Sequence, residues 1–168
     1  MAEPDAVDRV LDQWRRERPD LDLDAMGTIG RLGRLAAVAG PLVEAALAAH
    51  RLTTGEFDVL AALRRDGAPF TLTPTVLARS LMLSPAAMTN RLDRLEAAGL
   101  ITRELDRDNR RSVRVALTAE GRARVDAAVT DHVANEERLL AALSREERRR
   151  LDDLLRTLLA GITPTQPG

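Results

Sequence analysis

Arginine side chains are concentrated in one short stretch of the sequence, DRDNRRSVRVALT at residues 106–118. The planar guanidinium of arginine can bind a phosphate through two parallel hydrogen bonds. Arg107, Arg110 and Arg111 lie in the polar first half, and the second half alternates apolar and polar residues as a half-buried strand does. The stretch therefore predicts an exposed phosphate-binding loop that leads into a strand; the alternative is a solvated face whose arginines pair with neighbouring acids.

The segment around this stretch is locally basic, although the formal net charge of the chain is −1. Residues 74–118 carry eight arginines and five acidic residues, whereas residues 1–26 carry eight acidic residues and four arginines. A local excess of arginine is typical of a surface that binds nucleic acid. The charge distribution therefore points to the middle of the chain as the binding region.

Other kinds of chemistry lack the residues that they need. The 168-residue chain has no cysteine, which excludes disulfides, thiol catalysis and cysteine-bound zinc. His50 and His132 are far apart and have no partner at metal-ligand spacing, so we expect no metal and no cofactor. We find no nucleophile with a base and no paired carboxylates, so we do not expect an enzyme. The absence of a long apolar run and of a signal peptide predicts a cytoplasmic protein without a membrane partner.

Two short helices are predicted on either side of a tight turn. Thr73 and Ser84 are N-capping residues, each followed by a proline at the first helical position. The second helix ends at Gly99, where glycine can adopt the left-handed conformation that closes a helix. Two helices joined by two or three residues are typical of a helix-turn-helix.

After Gly99 the sequence changes from helical to strand periodicity. LITRELD and SVRVALT are rich in β-branched residues and are separated by the polar RDNRR, which predicts a β-hairpin with an exposed tip. Val113, Val115 and Leu117 are expected to face the core, and Arg114 the solvent. A helix-turn-helix followed by a basic hairpin predicts a winged helix-turn-helix, so the fold class is mainly α with a small β-hairpin wing.

We expect the second helix to enter the major groove of DNA and the hairpin tip to reach the adjacent minor groove. Short polar side chains and arginines in these two elements can bind phosphates or base edges. The candidate DNA-binding residues are Ser84, Thr89, Asn90, Arg91, Arg94, Arg107, Arg110 and Arg111. The alternative function is that of a helical dimeric interaction protein without DNA binding.

Amphipathic helices flank the central module on both sides. Because the apolar stripes of both chain ends need a surface to pack against, we expect a two-fold homodimer; the alternative is a monomer that folds its ends onto its own core. We interpret residues 1–168 as a single domain, with N-terminal helices at 5–50, a winged helix-turn-helix lobe at 53–118 and C-terminal dimerisation helices at 119–160.

Three glycines recur at every third position in the predicted helix over residues 24–50. Gly27, Gly30 and Gly33 follow no strand, so close packing of helices is favoured over a phosphate-binding loop. In the same helix, Pro41 predicts a kink or a break.

The central sequence LARSLMLSPAAMTNRLDRLEAAGLITRELDRDNRRSVRVALTAEG resembles the helix-turn-helix and wing of the MarR family of transcriptional regulators. DQWRRERPDLD, MGTIGRLGRL and EFDVLAALRR resemble its urate-responsive, PecS-like branch, which carries an additional N-terminal helix. The resemblance covers about residues 5–160. It implies a dimeric repressor of a pseudo-palindromic operator, released when a small anion binds between the N-terminal helix and the DNA-binding lobe.

The resemblance also implies an effector site formed by Trp14, Asp58 and Arg91. An ion pair between Asp58 and Arg91 would hold the recognition helix, and an anionic effector could compete for Arg91 while stacking on Trp14. Alternatively, Trp14 only packs, Asp58 is a surface acid and Arg91 binds only phosphate. The implied ligands are urate and other purines, tricarboxylates such as citrate and trans-aconitate, and phenolic acids. Asp66, near the position where urate-binding members carry an amide, disfavours urate.

Overall fold

The computed structural model describes residues 3–106 and 112–162, and these residues form seven helices and three short strands. Their order is α1 (Ala6–Glu17), α2 (Asp24–Ala48), α3 (Thr54–Arg65), β1 (Thr71–Leu72), α4 (Pro74–Ser80), α5 (Pro85–Ala97), β2 (Ile101–Leu105), β3 (Val113–Leu117), α6 (Ala119–Leu139) and α7 (Arg145–Ile162). The prediction of a mainly α fold with a β-hairpin wing is confirmed. The hairpin tip, residues 107–111, lies outside the described residues.

Local capping chemistry sets the helix boundaries of the central module. Thr73 and Ser84 accept hydrogen bonds from backbone N–H groups in the first turns of α4 and α5, each with a proline at the start of the helix. Thr53 forms a capping box with Glu56 at the start of α3. Gly99 follows α5 with a φ of 71°, a left-handed conformation that glycine adopts without a steric penalty.

The wing is a three-stranded sheet. β3 lies in the middle and pairs antiparallel with β2 on one side and β1 on the other. The inward Val115 is fully buried and the outward Arg114 is exposed, as predicted. β1 was not predicted, because a strand of two residues is too short to show alternation.

The core lies between the helix-turn-helix, the sheet and α6. Its largest buried side chains include Leu60 and Leu63 from α3, Leu77 from α4 and Leu92 from α5. Val125 from α6 completes this cluster. Because α5 contributes only its apolar face, its opposite face remains exposed.

The α1 helix packs against α2 where glycines allow close approach. A Cβ atom at Gly27 would lie 3.1 Å from Leu11 Cδ1, and one at Gly30 would lie 3.2 Å from Val7 Cγ1. Close packing is therefore confirmed at these two glycines, whereas Gly33 has open space beside it. The predicted kink or break at Pro41 does not end the helix, since α2 continues through it to Ala48.

The chain ends leave apolar side chains exposed. α7 buries none of its residues, and Leu154, Leu159 and Ile162 are more than half exposed. On α2, the apolar side chains of Ile29, Leu35 and Val38 are each 60% exposed. In the part of the chain that the structure describes, no helix is long and apolar enough to cross a membrane.

Candidate DNA-binding helix and effector site

Helix α5 is held in the helix-turn-helix by its apolar face. Met88, Leu92 and Leu95 are buried against the core, whereas Thr89 and Asn90 are exposed on the outer face. A helix fixed in this way presents a row of polar side chains to solvent, as a recognition helix requires.

Two of the candidate DNA-binding residues use their hydroxyl groups within α5 itself. Ser84 Oγ accepts a hydrogen bond from the N–H of Ala87 at 3.2 Å and so caps the helix. Thr89 Oγ1 donates to the carbonyl of Pro85 at 3.0 Å. Both hydroxyls therefore form their hydrogen bonds within α5 and its cap.

The arginines of α5 contact the start of α3. Arg94 Nε donates to Glu56 Oε1 at 3.1 Å, and Arg91 Nη1 donates to the carbonyl of Gly55 at 3.3 Å. Arg94 is 57% exposed and Arg91 is half-buried. These two interactions tie the recognition helix to the neighbouring helix of the lobe.

The expected ion pair between Asp58 and Arg91 is not formed, and that prediction is wrong. Asp58 makes no hydrogen bond or ion pair with any of the described residues, because Arg91 bonds instead to the main chain of Gly55, one turn earlier in α3. Burial raises the pKa of Asp58, and the positive charges of Arg91, Arg65 and His132 oppose that rise. Asp58 and Arg91 therefore interact through space, without direct contact.

Two residues beside Asp58 were missing from the predicted site. Arg65 lies seven residues after Asp58, which places both on the same face of α3, and this spacing could have identified it. His132 comes from α6, packs on Phe57 with ring centroids 4.8 Å apart and has a buried Nδ1 without a partner among the described residues. No sequence pattern links α6 to α3 at this point, so His132 could be found only in the folded chain.

Trp14 lies on α1, which packs on α2, whereas Asp58 and Arg91 lie on α3 and α5. It is 43% exposed on α1, which packs on α2 and is tied to it by Arg31 through Asp5 and Asp8 at 2.8 and 2.5 Å. No hydrogen bond, ion pair or ring contact joins its side chain to the described residues of α3 or α5. The structure therefore brings Asp58 and Arg91 near each other and leaves the role of Trp14 as a prediction.

On the other side of α5, strand β2 supplies a further arginine that sequence analysis did not select. Arg103 bridges Asp93 and Glu96 of the recognition helix.

The predicted wing-tip residues Arg107, Arg110 and Arg111 lie outside the described residues. Asp66 ends α3 as its exposed C-terminal capping residue.

The sequence is similar to known DNA-binding regulators. Residues 51–112 match the model of the MarR family. The chain is 41% identical over 149 residues to the HTH-type transcriptional regulator PecS of Dickeya dadantii, which covers 89% of this chain and 90% of that protein. It is 35% identical to the HTH-type transcriptional repressor Rv2887 of Mycobacterium tuberculosis, covering 76% of this chain and 89% of the repressor.

Solved structures of DNA complexes share the fold. A mutant MarR from E. coli complexed with operator DNA superposes with a TM-score of 0.72 at 26% identity, covering 82% of this chain and 97% of that chain. Rv2887 in complex with DNA gives a TM-score of 0.63 at 35% identity, covering 76% and 93% of the two chains.

Proposed function

This chain belongs to the MarR family of DNA-binding transcriptional regulators, which are not enzymes, and we propose that it is a homodimeric repressor released from its operator by a small anionic effector. One observation carries the regulatory part of the proposal. The recognition helix is held on α3 by Arg91, an arginine next to the half-buried acid Asp58. An anion that binds the Arg91 guanidinium would therefore replace its hydrogen bond to Gly55 and weaken the attachment of α5 to α3.

DNA binding is assigned to α5 and to the wing. Asn90 and Arg94 lie on the exposed face of α5 and can reach base edges or phosphates. Ser84 caps the start of that helix, where backbone N–H groups also favour phosphate, and Thr89 lies in the second turn on the exposed face. The arginines at 107, 110 and 111 are proposed minor-groove or phosphate contacts, by their residue type and their place in the hairpin sequence.

The homodimer is supported by the apolar faces at both chain ends. The exposed apolar side chains of α2 and α7 would lose contact with water in a two-fold pair, and such burial is the main favourable term in association. A monomer that folds its ends onto its own core would instead bury α7, yet none of the residues of α7 is buried. The dimer is therefore the better interpretation.

We propose that the effector binds beside Asp58, at the guanidinium groups of Arg91 and Arg65. Burial raises the pKa of the Asp58 carboxyl and the charges of Arg91 and Arg65 both act to lower it, and we propose that an anion with two or more oxygens engages both guanidinium groups. Trp14 is the proposed stacking partner for a planar ligand. Purines, tricarboxylates and aromatic acids meet these requirements, and the Asp66 carboxylate near the end of α3 disfavours urate.

A gel-shift series with the duplex upstream of the chain's own gene tests DNA binding. Phosphate contacts predict that the logarithm of the affinity falls linearly with the logarithm of the salt concentration. A helical interaction protein without DNA binding would show no salt-sensitive shift with this duplex.

A thermal-shift screen tests the effector class. Urate, xanthine, citrate, trans-aconitate and aromatic acids are added singly, because a ligand that binds the folded state raises Tm. Ligands that raise Tm are then added to the gel shift, where an effector is expected to release the duplex. A ligand that raises Tm without releasing DNA would exclude the proposed regulatory site for that ligand.

A further inference from the structure

A single arginine of the wing pairs with two acids of the recognition helix. Arg103 Nη1 lies 2.8 Å from Asp93 Oδ1, and Arg103 Nε lies 2.9 Å from Glu96 Oε2. Its hydrogen bonds to Glu96 also lower the pKa of that carboxyl, so Glu96 is ionised. One guanidinium on β2 thus faces two carboxylates that are one turn apart on α5.

One of these acids, Asp93, lies where negative charge would oppose DNA binding. Asp93 is 54% exposed and falls one turn after Asn90, on the face of α5 proposed to meet DNA. Arg94, which follows Asp93, is already paired with Glu56 of α3. Without Arg103, the middle of this face would therefore present uncompensated carboxylates towards phosphates.

We propose that Arg103 is a positioning residue for DNA binding: it offsets one of the two negative charges of Asp93 and Glu96, which reduces their repulsion of phosphates, and it joins the wing to α5. The inference rests on the proposed DNA-facing role of α5. Exposed ion pairs contribute little to folding stability, so the structural effect of this bridge is small. Repulsion between an unpaired carboxylate and several phosphates acts directly on DNA binding, so the main effect of Arg103 is expected there.

Arg103→Ala is compared with Arg124→Ala in the full-length protein by fluorescence anisotropy on the upstream duplex. Arg124 is the matched control, since its side chain is 26% exposed against 27% for Arg103 and it pairs with Glu120 within α6. We expect Arg103→Ala to weaken DNA binding on the order of tenfold at low salt, and Arg124→Ala to bind like the wild type. The deficit should shrink as salt screens the exposed charges.

A rescue experiment separates charge from folding. Adding Asp93→Asn and Glu96→Gln to Arg103→Ala removes the uncompensated charges, and we expect affinity to return to within about threefold of the wild type. Wild-type affinity in Arg103→Ala, or a deficit that the two added substitutions do not reduce, would overturn the proposal. Failure of the wild-type protein itself to bind the duplex would instead overturn the DNA-facing role of α5.

Discussion

The guanidinium of Arg91 lies over Gly55, in a space that only glycine leaves open. Arg91 donates to the Gly55 carbonyl at 3.3 Å, and a Cβ atom at Gly55 would lie 2.6 Å from Arg91 Cζ. The two residues are 36 positions apart in sequence and join the first turn of α3 to the recognition helix. A small residue in one helix thus determines where an arginine of the other can rest.

Gly55→Ala is expected to displace Arg91 without unfolding the protein. The end of an arginine side chain moves easily, and alanine favours a helix over glycine by up to about 1 kcal/mol, so Tm should be unchanged or slightly higher. If the effector acts by taking Arg91 from this contact, the freed Arg91 should lower the effector concentration needed to release DNA. Thermal unfolding and anisotropy titrations measure the two effects.

The double variant Gly55→Ala with Arg91→Ala is the control for that prediction. If glycine acts only through Arg91, the double variant should respond to the effector like Arg91→Ala alone. An effect of Gly55→Ala that persists in the Arg91→Ala background, or wild-type release by the effector in Gly55→Ala, would contradict this account of the Gly55–Arg91 contact.

Asp58→Asn is expected to stabilise the protein at neutral pH. Burial raises the pKa of Asp58, so the folded state disfavours the ionised carboxyl, and an amide removes this penalty. The gain should be present above the folded-state pKa and should vanish as pH falls below the unfolded value of about 3.9. Thermal unfolding from pH 3 to pH 7 measures it.

Asp131→Asn provides the matched control for Asp58→Asn. Asp131 is 64% exposed and pairs with His50 at 2.8 Å, so its replacement should leave Tm unchanged or lower it. If Asp58 lies beside the effector, removing its negative charge should strengthen binding of an anion, so Asp58→Asn should release DNA at a lower effector concentration. A Tm that falls at pH 7 on Asp58→Asn would show that the carboxylate stabilises the fold.

Much of the lobe could be predicted because its signals are local. Thr73, Ser84 and Gly99 fix helix ends through groups within a few residues of themselves, and the alternation around Val115 identifies the wing strand. The charged contacts of α5 could not be predicted in the same way. Arg94 and Glu56 are 38 residues apart, and only the packing of α3 on α5 decides that Glu56 becomes the partner of Arg94.

The error at Asp58 has the same origin. The family resemblance implied a pair between Asp58 and Arg91, but in the fold the first turn of α3 offers the Gly55 carbonyl closer to the guanidinium. Residue types specified which groups attract each other, and the packing of the two helices selected among them. Arg65 could have been predicted as a neighbour of Asp58, since the spacing of seven residues places both on one face of α3.

Trp14→Ala is expected to impair the effector response and to leave DNA binding unchanged. Trp14 is the only tryptophan, so intrinsic fluorescence of the wild type reports ligand binding at α1. Loss of a stacking contact should raise the effector concentration for half-release about tenfold. If Trp14→Ala is released by every effective ligand at wild-type concentrations, the tryptophan only packs.

The most direct test of the account is the release of DNA from Arg91→Ala by an effector identified in the thermal-shift screen. Anisotropy on the upstream duplex gives the affinity without effector and the effector concentration for half-release, for the variant and the wild type in the same salt. We predict that Arg91→Ala binds the duplex more weakly and that the effector releases it little or not at all. Release of Arg91→Ala at the same effector concentration as the wild type would contradict the claim that the effector acts by engaging Arg91.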